Sequence, residues 1–150
     1  MRVDAARFRT ALVEAHSKAH RAGAPLSVWW LDVDDCSQLN DHFGEDAVDQ
    51  ALAAFERELR ALSDAREGAV FARMDGAAWA VAWPGLDQTA AAVSAETLRQ
   101  TQASKEGVAL SFSVGIACRK LGEPALNLLE EAELACTRAK QAGRGQVILR

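Results

Sequence analysis

The apolar residues of this chain alternate between helical and strand spacing. Phe8, Leu12, Ala15 and Ala19 fall at helical spacing and predict a helix over residues 4–22, stopped by Gly23 and Pro25. Residues 26–33 form a nearly continuous apolar run, as a strand buried on both faces would. The run ends in the acidic residues Asp32, Asp34 and Asp35. A loop or short helix then leads to Gly44. Val48, Leu52, Phe55, Leu59 and Leu62 recur at alternating helical steps and predict a helix over residues 46–62. Two short strands, about 69–74 and 78–83, flank Asp75 and Gly76, a pair favoured in two-residue hairpin turns. Pro84 and Gly85 close the second strand, and an alanine-rich helix follows over 87–104. Val108, Leu110, Phe112, Val114 and Ile116 alternate with small or polar residues and predict a strand over 108–117. Pro124 opens a last helix with Leu129, Ala132, Cys136 and Ala139 inward and Gly143 as its stop. Residues 147–149 are a short final strand.

The order α-β-α-β-β-α-β-α-β, with a hairpin at its centre, excludes an all-parallel sheet. It predicts an α/β (α+β) sandwich with helices covering the sheet. No linker, repeat or low-complexity stretch interrupts the pattern, so residues 1–150 are expected to form a single domain.

Composition narrows the function. With 17 basic against 21 acidic residues the net charge is -4, which argues against a nucleic-acid surface while leaving room for a local phosphate contact. Cys36, Cys118 and Cys136 are odd in number and lack C-x-x-C spacing. That argues against a disulfide framework and structural zinc, and suits small apolar fillers in a reducing compartment. No apolar run is long enough to span a membrane, and the charged first twenty residues resemble neither signal peptide nor anchor. The expectation is a cytoplasmic protein without membrane insertion. His16 and His20, four apart on the first helix, have metal-capable spacing but no third ligand, so a solvated face is expected. Trp29, Trp30, Trp79 and Trp83 are expected in the core; exposure of Trp30 or Trp83 would mark a partner surface.

Several segments, in order and on the expected elements, resemble the GGDEF (diguanylate cyclase) family. Residues 31–44, LDVDDCSQLNDHFG, are similar to that family's L-D-I-D-x-F-K-x-I-N-D-x-x-G, and Asp49 with Leu52 fits its G-D-x-x-L. Residues 73–81, RMDGAAWAV, stand where R-x-G-G-D-E-F-A-V is expected. Residues 111–117, SFSVGIA, resemble T-V-S-I-G-I-A, and residues 132–144 resemble A-D-x-A-L-Y-x-A-K-x-x-G-R. The similarity covers roughly residues 5–149, although the family's N-terminal D-x-L-T-G-L-x-N-R signature is absent. It implies a nucleotidyl-cyclase-like fold with a central, mixed, mostly antiparallel five-stranded sheet flanked by helices.

The resemblance also implies a chemistry: joining two GTP molecules into cyclic di-GMP, a phosphoryl transfer that depends on positioning and on metal neutralisation of phosphate charge. It assigns the magnesium ligands to the first strand aspartate, here Asp32, and to the third place of the hairpin signature. The signature reads Asp75, Gly76, Ala77, Ala78, Trp79. The third and fourth places are therefore methyl groups, which neither ligate a metal nor move a proton. A carboxylate, Asp75, replaces the first glycine; at ~4 Å from another negative charge it costs about 4 kcal/mol at an effective dielectric near ~20. Losing a general base alone costs roughly 10²–10⁴-fold. Asp75 as a replacement ligand is the less favoured reading; a plain hairpin residue is the simpler one. No catalytic residue and no bound metal are expected, with Asp32 left as a vestige.

Parts of the nucleotide cradle remain. The resemblance makes Asn40 and Asp49 guanine readers and Lys140 and Arg144 phosphate contacts. The plainer readings are a turn residue, a solvated helix residue and favourable charge at a helix C-terminus. Lys140 and Arg144 are four apart, so one helix face is expected to present both. The family's inhibitory R-x-x-D site is half present, as Arg66 with Ala69 in the aspartate's place. At most weak binding of GTP or cyclic di-GMP is expected. The function expected is a catalytically inactive regulatory or protein-interaction module in cyclic di-GMP-linked signalling; the alternative is a nucleotide sensor without turnover. An enzyme of different phosphoryl chemistry on Asp32, Asp34 and Asp75 ranks last. The partner is another protein or a second copy of the chain.

Overall fold

In the computed structural model, which describes residues 1–150, Asp4 caps the first helix by accepting from the Arg7 N–H at 2.8 Å. That helix, α1 (Ala5–Ala22), ends at Gly23. The strand β1 (Leu26–Val33) follows, then α2 (Cys36–Phe43) and α3 (Glu45–Asp64). Next come β2 (Val70–Arg73), β3 (Ala78–Pro84) and α4 (Gln88–Ala103), the last capped by Asp87. The chain closes with β4 (Phe112–Cys118), α5 (Ala125–Gln141) and β5 (Val147–Leu149).

The five strands form one sheet in the order β2-β3-β1-β4-β5. All pairs are antiparallel except β4 with β5. The apolar run of β1 is central because it has a sheet neighbour on each edge and a helix layer over each face. On one face Leu31, Trp79, Phe112, Val114 and Ile116 pack against Phe55 and Leu59 of α3 and Ala91 and Ala95 of α4. On the other, Val28, Ala80, Ala82 and Ala117 pack against Phe8 and Leu12 of α1 and Leu128 and Ala132 of α5. The alternation along β4 thus sorts its large residues to one layer and Ser113, Gly115 and Ala117 to the other.

Two expected boundaries change. The alternating run from Val108 predicts a strand over 108–117, yet β4 begins at Phe112. β1 ends at Val33, whose partner is Phe112, so residues 108–111 have no strand to pair with. Leu110 still buries its side chain in the larger core; periodicity reported burial there, not pairing. The hairpin also has a longer tip than a two-residue Asp-Gly turn. The ladder ends at Arg73–Trp79, and Met74 N–H donates to Ala78 C=O at 2.8 Å. Residues 75–77 form the tip, with Gly76 in the left-handed region at φ 66°.

Candidate functional site

The C-terminal end of β1 brings the acidic residues to the edge of the core, and α5 crosses the sheet beside it. Asp34, just beyond the strand, is 4% exposed. Its Oδ1 accepts from the Ser113 hydroxyl at 2.6 Å and from Lys140 Nζ at 3.3 Å. Its Oδ2 accepts from the Ser111 hydroxyl at 2.6 Å and from the Gly145 N–H at 3.0 Å. Every lone-pair direction of this carboxylate is therefore used internally. Asp32 points the same way but is half-buried, with Oδ1 3.5 Å from Lys140 Nζ. Burial pushes its carboxyl above the usual aspartate range, and Lys140 only partly offsets this.

The raised value sets a pH dependence. Because the folded state binds the Asp32 proton more tightly than the unfolded state, Asp32 favours folding below about 4 and loses that contribution as pH rises through its folded pKa. Asp32→Asn is therefore expected to gain stability relative to wild type as pH rises from 4 to 7, read by urea unfolding at each pH. A difference that does not change with pH would rule this out.

The hairpin tip faces the same place. Asp32 pairs with Ala78 across the ladder. Asp32, Ala78, Asp75, Trp30, Arg9, Cys136 and Lys140 line one cleft of about 420 Å³. Asp75 is thus a wall of the Asp32 cleft, a placement that the plain hairpin reading did not foresee. Ala77 turns to the opposite layer and packs against the larger core, so the methyl group facing Asp32 is that of Ala78. Trp79 fits the place of a smaller aromatic ring because its indole N–H donates to Glu56 Oε1 at 3.1 Å.

The residues present do not fit a magnesium ion. Asp34 is saturated by its own donors, Ala78 supplies nothing, Ala77 turns away, and an ammonium stands within 3.5 Å of both Asp32 and Asp34. No three His, Cys, Asp or Glu side chains cluster so as to hold a metal.

The cradle residues divide among different places. Lys140 belongs to the Asp32 cleft. Arg144 lies beyond the end of α5, in the left-handed region at φ 66°, with its Nε 3.4 Å from Asp35 Oδ1. Asp35 is itself left-handed at φ 52°, so both non-glycine residues of positive φ meet in one ion pair. Arg144 lines a separate cleft of about 480 Å³ with His42, Phe43 and Ser111. The expected single helix face carrying Lys140 and Arg144 is therefore not formed, because α5 ends at Gln141. Asn40, on α2, has a buried Oδ1 without a hydrogen-bond partner, and Asp49 is exposed on α3. Neither lines either cleft. Arg66 donates to the Pro84 carbonyl at 3.1 Å, beside Ala69 in the buried core.

Asp34 is the residue that the sequence reading ranked too low. The serines two apart at 111 and 113, at the start of β4, were the signal that a hydroxyl pair could hold it. His16 also departs from a solvated face: it is half-buried, with a shut-away Nε2 that has no partner. Trp83 is buried and Trp30 half-buried, so neither marks an open partner surface. The Cys136 thiol, donating to the Ser113 carbonyl at 3.2 Å, is pushed up to about 12 mainly by burial and is inert as a nucleophile. No helix is long and apolar enough to cross a membrane.

A central strand ending in aspartates, opposed by a hairpin tip and a basic helix end, is the arrangement the sequence resemblance implied. The family described as "Diguanylate cyclase, GGDEF domain" matches residues 5–146, and the chain belongs to this family. It is 31% identical over 137 residues to the diguanylate cyclase DgcP of Pseudomonas aeruginosa, covering 87% of this chain and 20% of DgcP. The GGDEF domain of YfiN (TpbB) from Pseudomonas aeruginosa superposes with a TM-score of 0.86 at 26% identity, over 98% of this chain and 95% of that one. The diguanylate cyclase SiaD, solved with its activator SiaC from the same species, matches with a TM-score of 0.83 at 25% identity, over 98% of this chain and 58% of SiaD. The chain spans between 20% and 47% of the length of the curated relatives it matches.

Proposed function

We propose that this chain is a GGDEF domain that does not condense GTP and acts instead through protein contacts, in the cytoplasm, within cyclic di-GMP-linked signalling. One observation carries the reading: neither alanine of the signature offers an acid to the Asp32 cleft, since Ala77, in the third place, packs against the larger core and Ala78, in the fourth, turns only a methyl group toward Asp32. Phosphoryl transfer between two triphosphates without metal neutralisation lacks its largest electrostatic contribution. The intact sheet with a helix layer on each face supports a retained structural role. The kinship with SiaD, a cyclase crystallised with a protein activator, supports a protein partner for this domain, and a second copy of the chain is the other occupant to test. Residues 1–150 serve as one domain in this reading.

Incubation of the purified chain with GTP and magnesium or manganese is expected to give no cyclic di-GMP by chromatography. Dinucleotide formation that Asp32→Ala abolishes would defeat the proposal. A second reading, a sensor that binds nucleotide without turnover, is favoured by the unpartnered Asn40 carbonyl oxygen, an acceptor suited to the N–H edge of guanine. That oxygen is sealed from solvent, so binding would require the Asn40 side chain to turn. Calorimetry with GTP and with cyclic di-GMP separates the two: heat that Asn40→Ala removes supports the sensor, and no heat with either retires it.

A further inference from the structure

Five buried side-chain polar atoms have no hydrogen-bond partner, and three of them adjoin one another beneath α3 and α4: Ser27 Oγ, Trp29 Nε1 and Trp83 Nε1. Ser27 stands opposite Trp83 on the β1–β3 ladder, and Trp29 follows two residues on along the same face. The two indoles touch, with ring centroids 5.1 Å apart and planes tilted by 56°. Above them a cleft of about 740 Å³ opens between α4 and the C-terminal half of α3. Trp29 and Trp83 form its floor; Ala61, Leu62, Val93 and Leu98 contribute to its walls. Leu62 is 47% exposed and Val93 62%, so apolar surface continues to the mouth. An apolar chamber of this size with a few placed polar groups is the usual form of a small-molecule site. We propose that this cleft binds a small uncharged aromatic carbonyl compound, whose oxygen accepts from the indole N–H groups of Trp29 and Trp83.

The lining selects that class. An indole N–H donates and cannot accept, so the floor calls for an acceptor. Both nitrogens lie just under the floor, shut from water, where an unpartnered donor is costly. A ring that turns toward an acceptor in the cleft gains a hydrogen bond and breaks none. The walls set the charge. Glu58 and Arg66 are the charged residues of the lining. Glu58 already accepts from Gln102 and Lys105, and Arg66 is held at the rim by the Pro84 carbonyl. A phosphate or carboxylate on the floor would therefore be desolvated without a partner. That separates the cleft from a dinucleotide site, and Ala69, the other place of the half-present inhibitory motif, is not in its wall. The cleft also lies on the opposite face of the sheet from Asp32, so the inference stands whether or not the chain converts GTP.

The test uses chromone, an uncharged aromatic carbonyl compound, and the indole N–H signals of the ¹⁵N-labelled chain. Chromone is expected to shift the Trp29 and Trp83 signals, assigned from single Trp→Phe variants, and to leave that of Trp79, already bonded to Glu56, in place. The double variant Trp29→Phe/Trp83→Phe keeps an aromatic floor and loses both donors. It is expected to bind chromone at least ~tenfold more weakly than wild type while binding naphthalene, which has no acceptor, equally well. Ser94→Trp, at an exposed position of the wall, is expected to block both compounds. Trp29 and Trp83 signals that stay fixed at millimolar chromone would overturn the inference. So would chromone binding that Ser94→Trp leaves unchanged, equal losses of both compounds in the double variant, or cyclic di-GMP shifting the same two signals. Should the double variant fail to fold by circular dichroism, the wild-type signals and Ser94→Trp decide.

Discussion

Gly115→Ala is expected to remove at least about 3 kcal/mol of stability or to prevent folding, more than an ordinary overpacking change in a core. Gly115 lies on β4 where α5 crosses it. An added Cβ would stand 2.0 Å from the Ala132 carbonyl oxygen and 2.3 Å from the Cys136 nitrogen. Both are backbone atoms in the middle of a helix, so no side chain can swing aside to make room. Relief requires α5 to lift from the sheet, separating the Ala132 and Leu128 contacts with the β1 and β4 face. The same motion would draw Lys140 away from Asp32 and Asp34. Urea unfolding checks this directly; a variant within about 1 kcal/mol of wild type would mean that the strand–helix contact is looser than described.

Asp34→Ala is expected to cost about 3 kcal/mol, in the range seen when one partner of a buried charge network is removed. The loss is not of one contact. Two hydroxyls, the Gly145 N–H and the Lys140 ammonium all donate to this carboxylate. Its removal leaves several donors unpaired beside the core. Asp34→Asn keeps the shape and part of the acceptor capacity and is expected to cost less. Thermal unfolding of both variants gives the comparison, and equal losses would show that packing volume outweighs the hydrogen bonds.

Most of the fold was legible because the chain states it through spacing. β1 was predicted at its observed limits, since a run buried on both faces is apolar from end to end. Gly23 marked the end of α1, and the helices expected over 4–22 and 87–104 each began one residue early because Asp4 and Asp87 are their N-caps. Sheet pairing was less visible. The alternation from Val108 continues past the point where β1 supplies a partner, and no local signal reports the length of a neighbouring strand. The hairpin tip was misread for a related reason: Asp75 and Gly76 announce a turn, but its length depends on the register of Arg73 with Trp79.

The site was legible as residue types and less so as geometry. Asp32, Lys140 and the signature residues were identifiable by position. The pairing of Lys140 with both acids, the separation of Arg144 into its own turn and the opposite directions of Ala77 and Ala78 all depend on how β1, the hairpin and α5 meet. Asp34 looked interchangeable with its acidic neighbours. Only the folded arrangement makes it the hub, because Ser111, Ser113 and Gly145 come from segments more than seventy residues away in sequence.

The central claim is that this GGDEF domain keeps its scaffold and has lost the means to move a phosphoryl group. Release of pyrophosphate from GTP, followed by a coupled assay at high protein concentration with magnesium and then manganese, tests it most directly, since every such transfer frees one pyrophosphate. The account predicts a rate no different from a protein-free control. Steady release that disappears in Asp32→Ala would contradict it.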